Sequence, residues 1–536
     1  MIKPYALSCL LLLGCGGRPE AWDQDFSSTD PVALDNAVAV VDKTQARALV
    51  LTSKGGLELD LSTLPVGQNV TLVKASPDGK RLFVLSRGIS PRRNPDDERP
   101  RLTLIDTDPT PRVVRTYEFN DPLSGLVLDE KNEWAVLYVT SRDSRPVSNP
   151  NEIVLIDLAH PERDYIPMTV QNGGGGGSPQ SFLITSALTM PAAPPRRLLV
   201  VQTQNSVTLI DLSGDIDDET RRATQVTIPM PANQSGVVGT PGEVVFHDAD
   251  TTRGLGAELA VRLTQDTNVL LLPLVAPTAG SARPFRVEPN LVDVGGVPSS
   301  IHFVNTDDGV RLAALVGSNA VLVDSATSNT TVVALSKSFT GITLVTDALG
   351  GSSDGTDIAL LWSSSAPTIG LWTLGRAIGS ALHGLETLDI GAAIQTVIDV
   401  PSPDFPTSKI LVSATGDFFV LDLAVPRSSP MATNGSRFNL TFAPDGQSHR
   451  LWAYAPQGTA FSSVDLETLN PTSLTTQRPI WQVFDIAESG GGTGRTAIAL
   501  HNAGGNLAAT TFDALAPDDG NTRFYSGLAY GGLSHE

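Results

Sequence analysis

The chain has 536 residues, of which 41% are hydrophobic, 6% aromatic and 18% charged, with 48 glycines and 38 prolines. That length exceeds what one compact core needs, and the wealth of turn formers favours many short strands over long helices. A formal net charge of -20 argues against general affinity for nucleic acid or anionic lipid, whose phosphates would be repelled.

At the start, Lys3 is followed by the apolar run Leu7-Ser8-Cys9-Leu10-Leu11-Leu12-Leu13 and then Gly14-Cys15. The run falls well short of the ~20 residues that cross a bilayer, so it reads as a signal segment. Leu12-Leu13-Gly14-Cys15 resembles the lipobox of bacterial lipoproteins. The resemblance implies cleavage before Cys15 and attachment of more than one acyl chain there. Each buried methylene contributes ~0.8 kcal/mol and one chain is a marginal anchor, so stable attachment takes two or more. The chain has 2 cysteines. Cys9 leaves with the signal, and Cys15 alone can form neither an internal disulfide nor a cysteine-based metal site. Residues 1–14 are therefore expected to be the signal, 15–33 the lipidated start and tether, and 34–536 the folded domain. The expected place is the bacterial outer membrane or cell surface, with the side of the membrane left open.

The body repeats one phrase. Val70-Thr71-Leu72-Val73, Arg81-Leu82-Phe83-Val84-Leu85, Leu102-Thr103-Leu104-Ile105-Asp106 and Val113-Val114-Arg115-Thr116-Tyr117 are four β-type runs separated by turn residues. The layout returns with Leu126-Val127-Leu128, Ala135 to Val139 and Ile153 to Asp157, and again with Leu198 to Val201 and Val207 to Asp211. An aspartate marks the end of the third strand: Asp60, Asp106, Asp157, Asp211, Asp324, Asp422, Asp465 and Asp513. Such a residue can accept N–H bonds from the turn that follows, a structural reason to recur that outweighs a ring of catalytic carboxylates. Two further units are expected to close at Leu272-Pro273 and at Thr373. The strands are nearly continuous Val/Ile/Leu runs, as expected when both faces are covered, and a period near ~50 belongs to propellers and related arrays.

Ser76-Pro77-Asp78-Gly79-Lys80-Arg81-Leu82-Phe83-Val84 resembles the repeat phrase of YVTN-type β-propellers, and Ala443-Pro444-Asp445-Gly446 with Arg450-Leu451-Trp452 resembles it again. The Pro-Asp-Gly falls in the first hairpin turn, where glycine supplies positive φ. The expected architecture is all-β, a single closed propeller of four-stranded antiparallel blades, about 7–10 in number. The tail Phe524-Tyr525-Ser526-Gly527-Leu528-Ala529-Tyr530 is a candidate for closing the ring by pairing with N-terminal sequence. The resemblance supports the fold, while the family spans lactonases, cofactor-loaded oxidoreductases, surface-layer proteins and binding scaffolds.

Chemistry is sparse. Gly351-Ser352-Ser353-Asp354-Gly355 matches G-x-S-x-G, but a strand follows where a nucleophile elbow needs a helix. Gly173 to Gly177 with Ser178-Pro179 lacks the Lys-Ser/Thr of a phosphate loop and reads as a linker. His247-Asp248-Ala249-Asp250 and Asp215-Ile216-Asp217-Asp218-Glu219 gather oxygen ligands without a full calcium-loop pattern, and read as solvated acidic loops. No catalytic residue, metal site or cofactor is assigned. His247, His302, Asp399 and Asp485 are the inner-strand polar groups that an axial-pocket enzyme of lactonase or quinoprotein-like type would use.

Two consecutive units carry long insertions between their second and third strands, at residues 86–101 and 141–152, where other units have only a short turn such as Thr203-Gln204-Asn205-Ser206. Arg87, Arg92, Arg93, Arg142 and Arg145 are expected to form an anion-recognising rim, because guanidinium forks pair two-point with carboxylates and phosphates. The opposing expectation is local neutralisation by Asp96, Asp97, Glu98 and Asp143. The reading that results is a membrane-anchored, non-enzymatic binding or assembly platform. Its partner would be a protein or an acidic polysaccharide, and not a nucleic acid.

Overall fold

The computed structural model describes residues 26–89, 93–140, 147–171, 178–190, 193–214, 217–232, 236, 238–250, 255–281, 283–306, 308–345, 357–374, 384–400, 402, 404–413, 415–423, 427–430, 439–447, 449–489 and 493–535. These form small antiparallel sheets, and ten of them have four or more strands, all built from strands consecutive in the chain except one, in which Ser181–Ile184 pairs with Leu198–Gln202 across an inserted two-stranded hairpin. The fold is a β-propeller, numbered here as blades 1 to 10 in chain order. The four runs read in the clearest repeat are the strands Val70–Ala75, Arg81–Ser86, Arg101–Asp106 and Arg112–Glu118 of blade 2. The units expected to close near Pro273 and Thr373 are also present, with third strands Asn268–Val275 and Thr368–Thr373.

The chain divides into two compact units, residues 1–122 with 438–536, and residues 123–437. The first holds blades 1, 2, 9 and 10, and the second holds blades 3 to 8. Within each unit one apolar cluster fills each described joint between neighbouring blades. In blade 1 the strand Ala37–Asp42 is buried at every position. Its Val38 and Val40 join Phe484, Ile486, Ile498 and Leu500 of blade 10, while Ala37, Ala39 and Val41 join Leu82 and Val84 of blade 2. Alternate side chains serve opposite neighbours, which is why the strand reads as an unbroken apolar run.

Two expectations about the chain ends are corrected. Asp60 does not end a third strand. The third strand of blade 1 is Arg47–Gly55, and Asp60 lies in the fourth, Glu58–Pro65, opposite Thr52. The first strand, Val32–Ala33, is too short to show as an apolar run, so counting from sequence slips by one strand. The tail does not pair as a strand with N-terminal sequence either. Thr522–Ser526 pairs with Asn506–Asp513 on one side and Ser534–His535 on the other, all within blade 10. Gly527 and Gly531, at φ +84° and +76°, turn the chain back on itself. Blade 1 is reached by single bonds instead. The Tyr525 hydroxyl donates to Leu57 O at 2.9 Å, Thr511 Oγ1 donates to the same oxygen at 3.0 Å, and Arg47 Nη2 donates to Ala529 O at 2.6 Å.

The Ser76 to Gly79 turn shows why the repeat phrase needs its letters. Asp78 Oδ1 accepts from Ser76 Oγ at 2.5 Å and from Lys80 N at 3.1 Å, and Gly79 sits at φ +68°. A Cβ there would also lie 2.7 Å from Asp35 N, the amide that donates to Gly79 O. Gly56 is left-handed too, at φ +57°, but a Cβ there would meet nothing within 4 Å. Gly79→Ala should therefore lower the urea-unfolding free energy by about 2–3 kcal/mol, and Gly56→Ala by only about 1 kcal/mol, the cost of backbone strain alone.

Candidate functional site

The recurring aspartates are built into turns. Asp106, Asp157, Asp211, Asp422, Asp465 and Asp513 end third strands, and Asp324 directly follows one. One carboxylate oxygen takes N–H groups of the next turn: Ala159 and His160 at Asp157, Ser213 at Asp211, Ala326 at Asp324, Glu467 and Thr468 at Asp465, Leu515 and Ala516 at Asp513. An arginine at or beside the start of the second strand commonly meets the carboxylate, as Arg81 does with Asp106 at 3.1 Å, Arg311 with Asp324, and Arg450 with Asp465 at 3.7 Å. At Asp465 burial alone would raise the pKa, but the Thr468 amide and hydroxyl and the Arg450 charge outweigh it and hold the carboxyl below its ordinary value. These groups hold strand ends together.

The insertion of blade 2 is a braced loop between Arg81–Ser86 and Arg101–Asp106. Arg87 N donates to Asn69 O at 3.1 Å, Ile89 N to Glu98 O at 2.9 Å, and Asn69 Nδ2 to Gly88 O at 2.8 Å. A Cβ on Gly88 would come within 2.3 Å of Glu98 O, so the two limbs of the loop touch backbone to backbone. Asp97 Oδ2 accepts from Arg93 N at 2.6 Å and Asn94 N at 2.9 Å, and Glu98 Oε1 accepts from Gln68 N and Arg101 Nε, each at 2.8 Å. Asp97 thus organises loop backbone and Glu98 neutralises Arg101. Arg93 is exposed and Arg87 half-buried. Arg92, Arg142 and Arg145 lie outside the described residues, as do Asp143, Cys15, the Gly351 to Gly355 stretch and Gly173 to Gly177.

The inner-strand polar groups all lie on first strands: His247 on Thr240–His247, His302 on Ser300–Thr306, Asp399 on Ile394–Asp399 and Asp485 on Gln482–Ala487. They fall into separate local arrangements. His247 Nε2 stands 3.6 Å from Glu258 Oε2, and its ring meets Phe303 edge-on with centroids 4.3 Å apart. Burial pushes the His302 imidazole below its ordinary pKa, opposed by the Glu243 carboxylate. Glu243 itself accepts from Ile301 N at 2.9 Å and Ser300 Oγ at 3.1 Å. Lys409, nearly fully buried, reaches exposed Asp399 at 2.5 Å. Asp485 accepts from Trp452 Nε1 at 3.0 Å and from Arg495 Nε at 2.9 Å, joining blades 9 and 10.

Glu243, Glu258 and Arg495 carry no local sequence signal, because each acts on residues from another strand or blade. The acidic stretches are likewise engaged by protein donors. Asp248 accepts from Thr189 N at 2.5 Å and Thr189 Oγ1 at 3.0 Å, and Asp217 caps the helix Asp218–Ala223 by accepting from Thr220 N at 2.8 Å. Among the described residues, no three His, Cys, Asp or Glu side chains are grouped so as to hold a metal ion. No helix among them is long and apolar enough to cross a membrane.

No protein-family model matches the chain, and no curated protein does. Solved structures do resemble it at low identity. Dihydro-heme d1 dehydrogenase NirN in complex with DHE is 14% identical, with 89% of this chain and 78% of that one covered and a TM-score of 0.38. A eukaryotic initiation factor is 12% identical over 77% and 89%, with a TM-score of 0.41. Apo AztD from Citrobacter koseri is 10% identical over 86% and 96%, with a TM-score of 0.34. At these values none of them carries an argument about what this chain does.

The lowered pKa of Asp465 gives stability that is present above the ordinary carboxyl value and is lost as pH falls through the lower folded-state one. Asp465→Asn should cost about 1 kcal/mol at neutral pH. In denaturant titrations the gap between variant and wild type should narrow toward pH ~3.

Proposed function

We propose that this chain is a lipid-anchored, non-enzymatic propeller that serves as a binding or assembly platform at the bacterial cell envelope. The anchor is Cys15, in the lipobox-like Leu12-Leu13-Gly14-Cys15. The recognising surface is the rim of Arg87, Arg92, Arg93, Arg142 and Arg145, which takes carboxylate or sulfate groups of a protein or acidic polysaccharide. The observation that carries this reading is the braced loop of blade 2. Asp97 and Glu98 are used on loop amides and on Arg101, while Arg93 is exposed. A guanidinium on a pre-organised loop loses less entropy on binding than one on a floppy segment. The inner-strand acids and histidines support the same reading, since each is engaged in packing or in joining neighbouring strands.

Replacing Cys15 with serine should move the protein from the membrane fraction to the soluble fraction; continued sedimentation with membranes would contradict acylation. Changing the five arginines to serine together should weaken retention on immobilised heparin or polyglutamate by at least about tenfold and make it insensitive to salt. Unchanged, salt-sensitive retention would remove the rim from the account.

A further inference from the structure

The outer, fourth strand of a blade presents a free edge that another chain can extend. Every described fourth strand but one contains a charged residue or a proline, as in Arg112–Glu118 of blade 2 and Val226–Pro229 of blade 4. The exception is Thr330–Ala334 of blade 6, with the sequence Thr330-Thr331-Val332-Val333-Ala334. It pairs only with Asn319–Val323. Asp324 N donates to Asn329 O and Leu335 N to Ser318 O, each at 2.9 Å, which fixes the alternation of the ladder. Thr331 and Val333 therefore bond inward, while Thr330, Val332 and Ala334 turn their N–H and C=O groups to the open edge. We propose that this edge pairs with the same edge of a second copy of the chain, antiparallel about a two-fold axis at Val332.

The edge is its own complement. Pairing about Val332 sets that residue against its copy and Thr330 against the partner's Ala334, so all three outward residues complete both of their bonds. A two-fold axis brings the central side chain against itself, which forbids a charge there. Val332 is uncharged and, at 60% exposure, the most exposed large apolar side chain among the described residues. The charges beside the strand are engaged: Asp324 is paired with Arg311, and Lys337 Nζ donates to Thr368 Oγ1 at 2.7 Å. In a chain of net charge -20, so neutral an edge lets two copies approach with little local repulsion. Asn290 Nδ2 of blade 5 donates to Ser328 Oγ at 2.7 Å and braces the turn that leads into the strand, so the edge is set before it pairs. One pair of five-residue strands is smaller than a standard interface, so the dimer forms and parts with concentration.

Sedimentation velocity of the full chain in mild detergent, over a concentration series, tests this pairing. The weight-average mass should rise from one copy toward two and fall again on dilution. Val332→Lys sets two like charges against each other at the axis and should weaken the dimer by at least about tenfold. Its urea-unfolding midpoint should stay that of the wild type, because the side chain at 332 is exposed. Oxidation reads the register. Val332→Cys should give a covalent dimer well above the level that Cys9 and Cys15 give in the wild type. Thr331→Cys should not, because position 331 then lies opposite position 333 of the other copy and away from its own counterpart. A wild-type mass that stays at one copy through the series would overturn the pairing and leave the edge to a strand of another protein. Undiminished association of the Val332→Lys variant, or equal cross-linking of the two cysteine variants, would overturn it as well.

Discussion

Within each unit, neighbouring blades depend on burying their apolar faces against one another. A sheet of four strands, each a few residues long, offers too little interior of its own to offset the ordering of its loops. Burial at ~25 cal/mol per Å² becomes sufficient only when both faces are covered. Blade 1 shows the arrangement most plainly, with Val38, Val40, Leu49 and Leu51 in the cluster shared with blade 10 and Ala39, Val41, Val50 and Ala48 in the one shared with blade 2. Blade 9 meets blade 10 through Trp452, Phe461 and Phe512, and the Phe461 and Phe512 rings lie edge-on at 5.2 Å.

The polar chemistry follows from this constraint. With apolar faces committed to neighbours within each unit, charged groups are pressed to strand ends and to the few places where a side chain crosses between blades. At strand ends a carboxylate takes turn amides and a guanidinium together, as Asp465 does with Glu467, Thr468 and Arg450. At crossings the partners are more deeply buried, as in Trp452, Asp485 and Arg495. Such pairs fix the register of blade against blade while the loops between second and third strands stay free to lengthen. That separation of tasks lets a propeller carry a long loop on blade 2 without disturbing its core.

The parts that could be read from sequence are those that repeat. Continuous apolar runs mark the strand positions in blades 2, 3 and 4, and the aspartate at the end of the third strand marks the register in every later blade except 5 and 7, whose third strands are Asn268–Val275 and Thr368–Thr373. Blade 1 was misplaced by one strand because Val32–Ala33 is only two residues long. The closing tail was placed at the right joint with the wrong bond. Its contacts to Leu57 and Arg47 are single side-chain bonds over more than 450 positions, which no local pattern records. Glu243, Glu258 and Arg495 stayed hidden for the same reason. The Pro-Asp-Gly letters of the Asp445 turn have a local meaning that gives no hint of its bond to Arg495 of blade 10. Of the arginine rim, Arg87 and Arg93 can be placed on a built loop, and the reading of the remainder rests on their sequence positions alone.

Mutual shielding between blades is tested most directly by Phe484→Ala, with hydrogen exchange followed across the full chain. Phe484 belongs to blade 10 and fills the cluster it shares with blade 1, and its truncation should cost about 3–5 kcal/mol. If neighbouring faces protect one another, amides of Leu49 and Leu51 in blade 1 lose protection together with those of blade 10. Loss confined to blade 10, with blade 1 as protected as before, would mean that each sheet holds itself together and would contradict the account.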